Sequence, residues 1–451
     1  KMPGVPTSRA CDSCRKAKKK CDELQPCTRC VRRQLQCIGS GLRRYKFQSA
    51  EFPQGTSAVV PTKQGPKLHI AQVPSDTLTT WFVNTLEIQD VRYDITYYGP
   101  FLRDLPRRFG SSPVLDAAAT ALVSSYPYFQ KQDVPPAVLV KFGKALKALR
   151  ECLKDPISAR SPNTLCAIYL ISICQSWIGT SQKQRSGHAE AITHILRIVD
   201  LNEYRSEFAR NLLVTLCAPV ILEGMRNPRI RMDKQIWDQI ISFFCQNPSS
   251  PEHSSIPRPT TSLFSIAMFP EYIHNPSPYL PEITQAYSQL KIDVQTMHAF
   301  QNGGFLSSLS TVHQSRYLAA YTVISSLTLT LNNILHAFNP FDTLLANDSG
   351  FFVQQIIEGA DFASRDRPLG AAYVPLCLIV ALAAAKDPEQ VTRIETTLTD
   401  YQSDFKALEW RKCVRWLKTL LENLHLHRGL TEAGFDVDTS ELGVPGGCAM
   451  M

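Results

Sequence analysis

No glycine-rich phosphate loop, no H-E-x-x-H helix and no G-x-S-x-G elbow occurs in these 451 residues. Those absences remove the common sequence signs of nucleotide hydrolysis, zinc proteolysis and serine hydrolysis. The chain displays no set of catalytic groups, and no enzyme is expected. Strand-like alternation is scarce, which argues against a β-rich fold. Long uncharged runs are few. Leu369 to Ala385 spans 17 residues without a charge, at the lower limit of a membrane span. It contains Pro375 and sits among amphipathic segments that need a central partner, so it reads as a buried core helix. No membrane partner is expected. Nothing ahead of Cys11 resembles a secretory leader with an apolar core, although the chain opens at Lys1 rather than at Met.

Charge is present but unevenly placed. The net value is +8, yet residues 1–46 alone carry 13 Lys/Arg against Asp12, Asp22 and Glu23. The remaining 405 residues hold 35 basic and 37 acidic side chains, close to neutrality. A basic head on a neutral body is the electrostatic footprint of a nucleic-acid reader. The same lysine cluster would serve as a nuclear import signal.

Six of the 14 cysteines lie in that head. Cys11, Cys14, Cys21, Cys27, Cys30 and Cys37 follow C-x2-C-x6-C-x5-C-x2-C-x6-C, two copies of one half joined by a short loop. Six thiolates cannot complete two separate four-sulfur sites unless two sulfurs are shared. Two tetrahedral Zn(II) ions bridged by two cysteines are the economical solution. The cluster then keeps a charge of about −2, which Arg15, Lys16, Lys18, Lys19 and Lys20 can offset. A disulfide knot is the alternative, but dense lysine around the thiols fits a reduced, anion-binding setting better. The other eight cysteines, Cys152, Cys166, Cys174, Cys217, Cys245, Cys377, Cys413 and Cys448, show no ligand spacing; most read as small buried hydrophobes.

The stretch from Cys11 to Asp22, with Pro26-Cys27-Thr28-Arg29-Cys30, resembles the fungal binuclear zinc cluster transcription factors. It matches at every cysteine, at Arg15, at Lys19 and Lys20, and at Pro26. Ala17 departs from it, where many members carry a second basic residue. The resemblance implies two Zn(2+) per chain with Cys11 and Cys27 as bridging ligands. It implies double-stranded DNA as partner and the nucleus as location. Lys18 would reach guanine in a CGG triplet, while Arg15 and Lys20, with Arg9, Arg43 and Arg44, would clamp phosphates.

Residues 47–75 hold Pro53, Pro61, Pro66 and Pro74 and read as a linker without a sustained heptad zipper. From residue 76 the pattern is helical. Asp76 can cap a helix bearing Trp81, Phe82 and Leu86, and Ser112-Pro113 suits the start of an Ala-rich one. Over 137–154, Leu139, Phe142, Leu146, Leu149 and Leu153 mark one face. Over 410–428, Trp410, Cys413, Val414, Leu417, Leu420, Leu421 and Leu424 oppose Arg411, Lys412, Arg415 and Lys418, and Gly429 supplies a stop. Residues 247–281, with eight prolines, read as a long surface loop. The expected fold class is a small Zn2Cys6 module followed by a large all-α domain over 76–430.

Segments around Tyr98–Pro106, Ser111–Ala118 and Gly187–Ile192 are similar to the α-helical regulatory domain found downstream of many zinc clusters. That resemblance implies a body that receives co-regulators or a small apolar effector, and through which a dimer would form. His188 and His194, six apart, are a poor metal pair; His425 and His427 complement a helix end. The tail, 431–451, is expected to be flexible and acidic. Within it, Thr431–Leu442 mixes Glu432, Asp436, Asp438 and Glu441 with Phe435, Val437 and Leu442, as activation segments do. Cys448-Ala449-Met450-Met451 formally matches a prenylation box but lacks an upstream basic run, and reads as chance. The competing function is a zinc-stabilised scaffold or RNA-associated protein that binds nucleic acid without regard to sequence.

Overall fold

Proline and short acids set where the helices begin. The computed structural model describes residues 11, 13–14, 17–22, 24, 26–35 and 37 of the head. Beyond the head it describes 75–88, 90–129, 133–178, 187–246, 266–404 and 409–427. The chain divides into two units, Lys1–Ile70 and Ala71–Met451. The first carries α1 (Thr28–Arg32). The second begins with α2 (Ser75–Leu86), α3 (Pro113–Ser125), α4 (Pro136–Cys152), α5 (Pro162–Ile178) and α6 (His188–Leu196). It continues with α7 (Glu207–Arg226), α8 (Lys234–Gln246), α9 (Phe269–His274), α10 (Leu280–Asn302) and α11 (Thr311–Phe338). It ends with α12 (Thr343–Ala363), α13 (Val374–Ala384), α14 (Pro388–Tyr401) and α15 (Trp410–His427). No strand occurs among the described residues.

Pro113, Pro136 and Pro388 stand at helix starts, where the missing N–H costs nothing. Ser206, Ser310 and Asp342 accept from first-turn amides of α7, α11 and α12. In the Ala71–Met451 unit, α3 packs on α4 and α5, and α11 packs on α10, α12, α13 and α15. One continuous apolar core runs from Leu78 to Val414.

Helix α11 is central and unusually rich in hydroxyls. Thr322, Ser325, Thr328 and Thr330 are buried, and each donates to the carbonyl four residues back at 2.8–2.9 Å. That satisfies the hydroxyls inside the helix and leaves its surface free to pack closely. Gly359 of α12 uses that freedom: a Cβ there would collide with the Thr322 hydroxyl. Gly99, at φ 138°, holds a bend in which a Cβ would meet Phe101 and Thr215 at 2.7 Å.

Two expectations change, and the buried reading of the uncharged run holds. In α4 the buried stripe is Val138, Phe142, Ala145 and Leu149, whereas Leu139 and Leu153 are exposed. The α3 and α5 neighbours select the stripe, which lies slightly off the one the leucines mark. The segment 247–281 is not wholly a loop. Pro270 stands in the first turn of α9, whose Phe269, Tyr272 and Ile273 are buried against α7, and turn Ser277–Tyr279 leads into α10. The uncharged run is a short turn, Leu369–Ala371, followed by α13, both lined by buried residues. Helices α7 and α11, rather than this run, have the length and apolar composition of a membrane span. Half of the apolar window of α7 and 67% of that of α11 are buried within the fold.

Candidate metal centre and nucleic-acid interface

Each half of the cysteine repeat builds the same small device. Backbone N–H groups of Cys14 and Cys30 donate to the Sγ of Cys11 and Cys27, both at 3.4 Å. Those of Cys11 and Cys27 donate to the Sγ of Cys21 and Cys37, at 3.5 and 3.3 Å. The helical turns end alike as well. Lys19 N–H reaches back to Cys14 O at 3.0 Å, and Leu35 N–H to Cys30 O at 2.9 Å. This six-residue closure needs a left-handed residue before it, and Lys18 and Gln34 adopt that conformation.

The sulfurs of Cys11, Cys14, Cys27 and Cys30 lie within 4.8 Å of one another and are buried. Cys11 Sγ stands 3.7 Å from Cys27 Sγ and 3.6 Å from Cys30 Sγ; Cys14 Sγ stands 3.6 Å from Cys27 Sγ. A tetrahedron with Zn–S bonds of about 2.3 Å has edges of about 3.8 Å. The spacing therefore fits sulfurs gathered around shared zinc ions. The Cys14 N–H holds the Cys11 thiol down at about 6, and the Cys30 N–H lowers that of Cys27. Those two sulfurs are held toward the thiolate that binds metal, whereas Cys14, despite the Arg29 contact, and Cys30 are pushed up by burial and by the neighbouring thiols.

Residues 9–46 match the fungal Zn(2)-Cys(6) binuclear cluster domain. The head is a binuclear zinc cluster. No curated protein and no solved structure matches the chain. The zinc cluster domain is a DNA-binding domain of transcription regulators, and its six cysteines fit two zinc ions.

Every cysteine expected as a ligand lies in this cluster, Cys21 and Cys37 at its half-buried edge. Lys18 and Lys20 are exposed. Arg9, Arg15, Arg43 and Arg44 fall outside the described residues, as do Lys16 and Gly429. The described aliphatic residues of the head do not make a core: Leu24, Val31 and Leu35 are 62%, 58% and 48% exposed. Among the described residues of the head, only cysteines are buried. In the body, Cys166, Cys174, Cys217, Cys377 and Cys413 are buried, and burial pushes the thiols of Cys174, Cys217 and Cys377 up to about 12. Cys245 is exposed. His188 bonds Gln175 at 2.9 Å while His194 is exposed, and the two form no metal site.

Two contacts escaped sequence reasoning. Arg29 points its guanidinium at Cys14 Sγ, 3.6 Å away across the halves, and this contact raises its own pKa. Asp22 accepts from Thr28 N–H at 2.9 Å and from Leu24 N–H at 3.4 Å, pinning the loop to the start of α1. The signal available was position: Arg29 lies between two ligands, and Asp22 directly follows one.

Proposed function

We propose that this protein is a nuclear, sequence-specific regulator of transcription by RNA polymerase II whose head reads a CGG-type triplet. Cys14 and Cys21 with the bridging Cys11 and Cys27 hold one zinc; Cys30 and Cys37 with the same bridges hold the other. The central 3.7 Å approach of Cys11 to Cys27 supports that assignment. Lys18 donates to guanine O6 and N7 in the major groove, and its exposure at a helix end supports that role. Arg15 and Lys20, with Arg9, Arg43 and Arg44, clamp phosphates. Residues 76–430 act as the regulatory body, joined by the linker 47–75 and followed by the tail 431–451.

One observation carries this reading: a cluster whose buried side chains, among the described residues, are all metal-binding sulfurs holds an outward lysine at the end of a helical turn. Selection of bound duplexes from a random pool, with full-length zinc-loaded protein, tests it. Enrichment of CGG-type triplets is expected. Recovery without enrichment would favour the scaffold or RNA-associated reading.

A further inference from the structure

Helix α15 is strongly one-sided. Trp410, Cys413, Val414 and Leu417 are buried, whereas Arg411, Lys412, Arg415 and Lys418 face outward. Lys412 is held by Glu409 at 2.8 Å. Arg411, Arg415 and Lys418, spaced i, i+4 and i+7, make no ion pair with any described residue; Arg411 only stacks over Trp410, 4.4 Å from the ring centroid. Beside these three cations lies a groove of about 390 Å³ floored by Leu382, Trp410 and Val414. The buried indole N–H of Trp410 has no acceptor among the described residues. Glu395 and Glu422 also border the groove. An occupant must therefore set its acids against the triad and its apolar groups on the floor.

We propose that the occupant is the acidic segment Glu432–Leu442 of the same chain. It carries Glu432, Asp436, Asp438 and Glu441 without a Lys or Arg, interleaved with Phe435, Val437 and Leu442. In an extended chain Asp436 and Asp438 share one side and Phe435 and Val437 the other. Two such acids stand about 7 Å apart, near the roughly 6 Å rise from Arg411 to Arg415. The segment starts five residues beyond the end of α15, after Arg428, Gly429, Leu430 and Thr431. The 15 residues from 428 to 442 reach about 50 Å when extended, and Arg411 lies roughly 24 Å back along the helix. So short a tether gives an effective concentration of about millimolar, so weak ionic contacts suffice. Docking hides Phe435 and Val437, so the fold itself withholds this segment from other proteins and releases it as charge is screened.

Carbodiimide coupling of the full-length protein tests the proposal. The reagent activates a carboxylate, an amide forms with a lysine Nζ within contact, and the reagent leaves as its urea. Lys418 should link to Glu432, Asp436, Asp438 or Glu441 at low salt and lose the link near 1 M salt, where screening is about 3 Å. Exposed Lys154 should not link to the tail. In a mixture of ¹⁴N- and ¹⁵N-labelled protein, each link should join residues of one isotope. The double change Arg411→Glu, Arg415→Glu should abolish coupling at Lys418. Adding Asp436→Lys and Asp438→Lys should restore it through Glu432 and Glu441. No link at low salt, equal coupling to Lys154, or isotopically mixed links from a second copy would overturn the proposal. So would failed restoration in a variant of unchanged helix content.

Discussion

Lys18 and Gln34 adopt the same left-handed backbone, φ 51° and 50°, each four residues after the second cysteine of its half. The two halves of the cluster are thus one structure made twice, with different side chains at the equivalent point. Lys18 presents a cation there and Gln34 an amide. The repeat explains why two six-residue closures of 3.0 and 2.9 Å recur on unrelated side chains.

Left-handed backbone costs an L-residue about 1 kcal/mol, and Gly escapes that cost. Gln34→Gly should therefore stabilise the head by about 0.5–1 kcal/mol. Slower zinc loss to a chelator in stopped-flow measurements would register it. An unchanged or faster rate contradicts the strain argument.

Zinc should be indispensable to the head. Structural zinc supplies about 10–16 kcal/mol in small modules, and no aliphatic core among the described residues stands in for it. Native mass spectrometry should count two Zn per chain. Chelation should abolish duplex binding while leaving the helical signal of the body largely intact.

Lys18 and Lys20 should fail differently when truncated. Lys18→Ala is expected to weaken a CGG duplex by on the order of ten- to a hundredfold and to relax the preference for it. Lys20→Ala should weaken all duplexes alike and reduce the salt slope by about one. Titrations of CGG and scrambled duplexes separate the two. Equal losses on both sequences with Lys18→Ala would leave it only a phosphate contact.

The body offers a packing test. Gly359→Ala should cost about 1–3 kcal/mol, because the new methyl meets the Thr322 hydroxyl between α11 and α12. Adding Thr322→Ala should recover part of that loss. Denaturant midpoints of the single and double variants check it; equal midpoints would mean the helices part without penalty.

Stability should also fall with acid through one buried histidine. Burial against α7, with Arg231 nearby, pushes His274 down to about 4, and its Nε2 lies 3.2 Å from Gly224 O. The unfolded chain binds this proton below about 6.5 and the folded chain only below about 4. His274 therefore contributes stability above 6.5 that is lost as pH falls toward 4, on the order of 3 kcal/mol. His274→Gln should flatten that part of a melting-temperature profile.

The metal centre was legible in the sequence because coordination chemistry acts over short spans. A C-x2-C pair fits one turn, a third cysteine returns after it, and zinc takes such thiolates in tetrahedral sites. The helices of the body were legible where proline, caps and periodicity agree, as at Pro113 and along α15. What the tertiary structure alone decided lies between distant segments. Phe142 and Leu149 are buried with Val138 rather than Leu139, because α3 and α5 choose the face. Phe269 and Tyr272 became core despite surrounding prolines, because α7 covers them. Arg367 bonds Asp400 and Asp404 and lies over the Tyr401 ring at 4.3 Å, a convergence that no spacing announces. Arg29 crosses from one half of the cluster to Cys14 in the other. Local rules set which residues coil and which bind metal; burial depends on which surfaces meet, and that is a property of the whole chain.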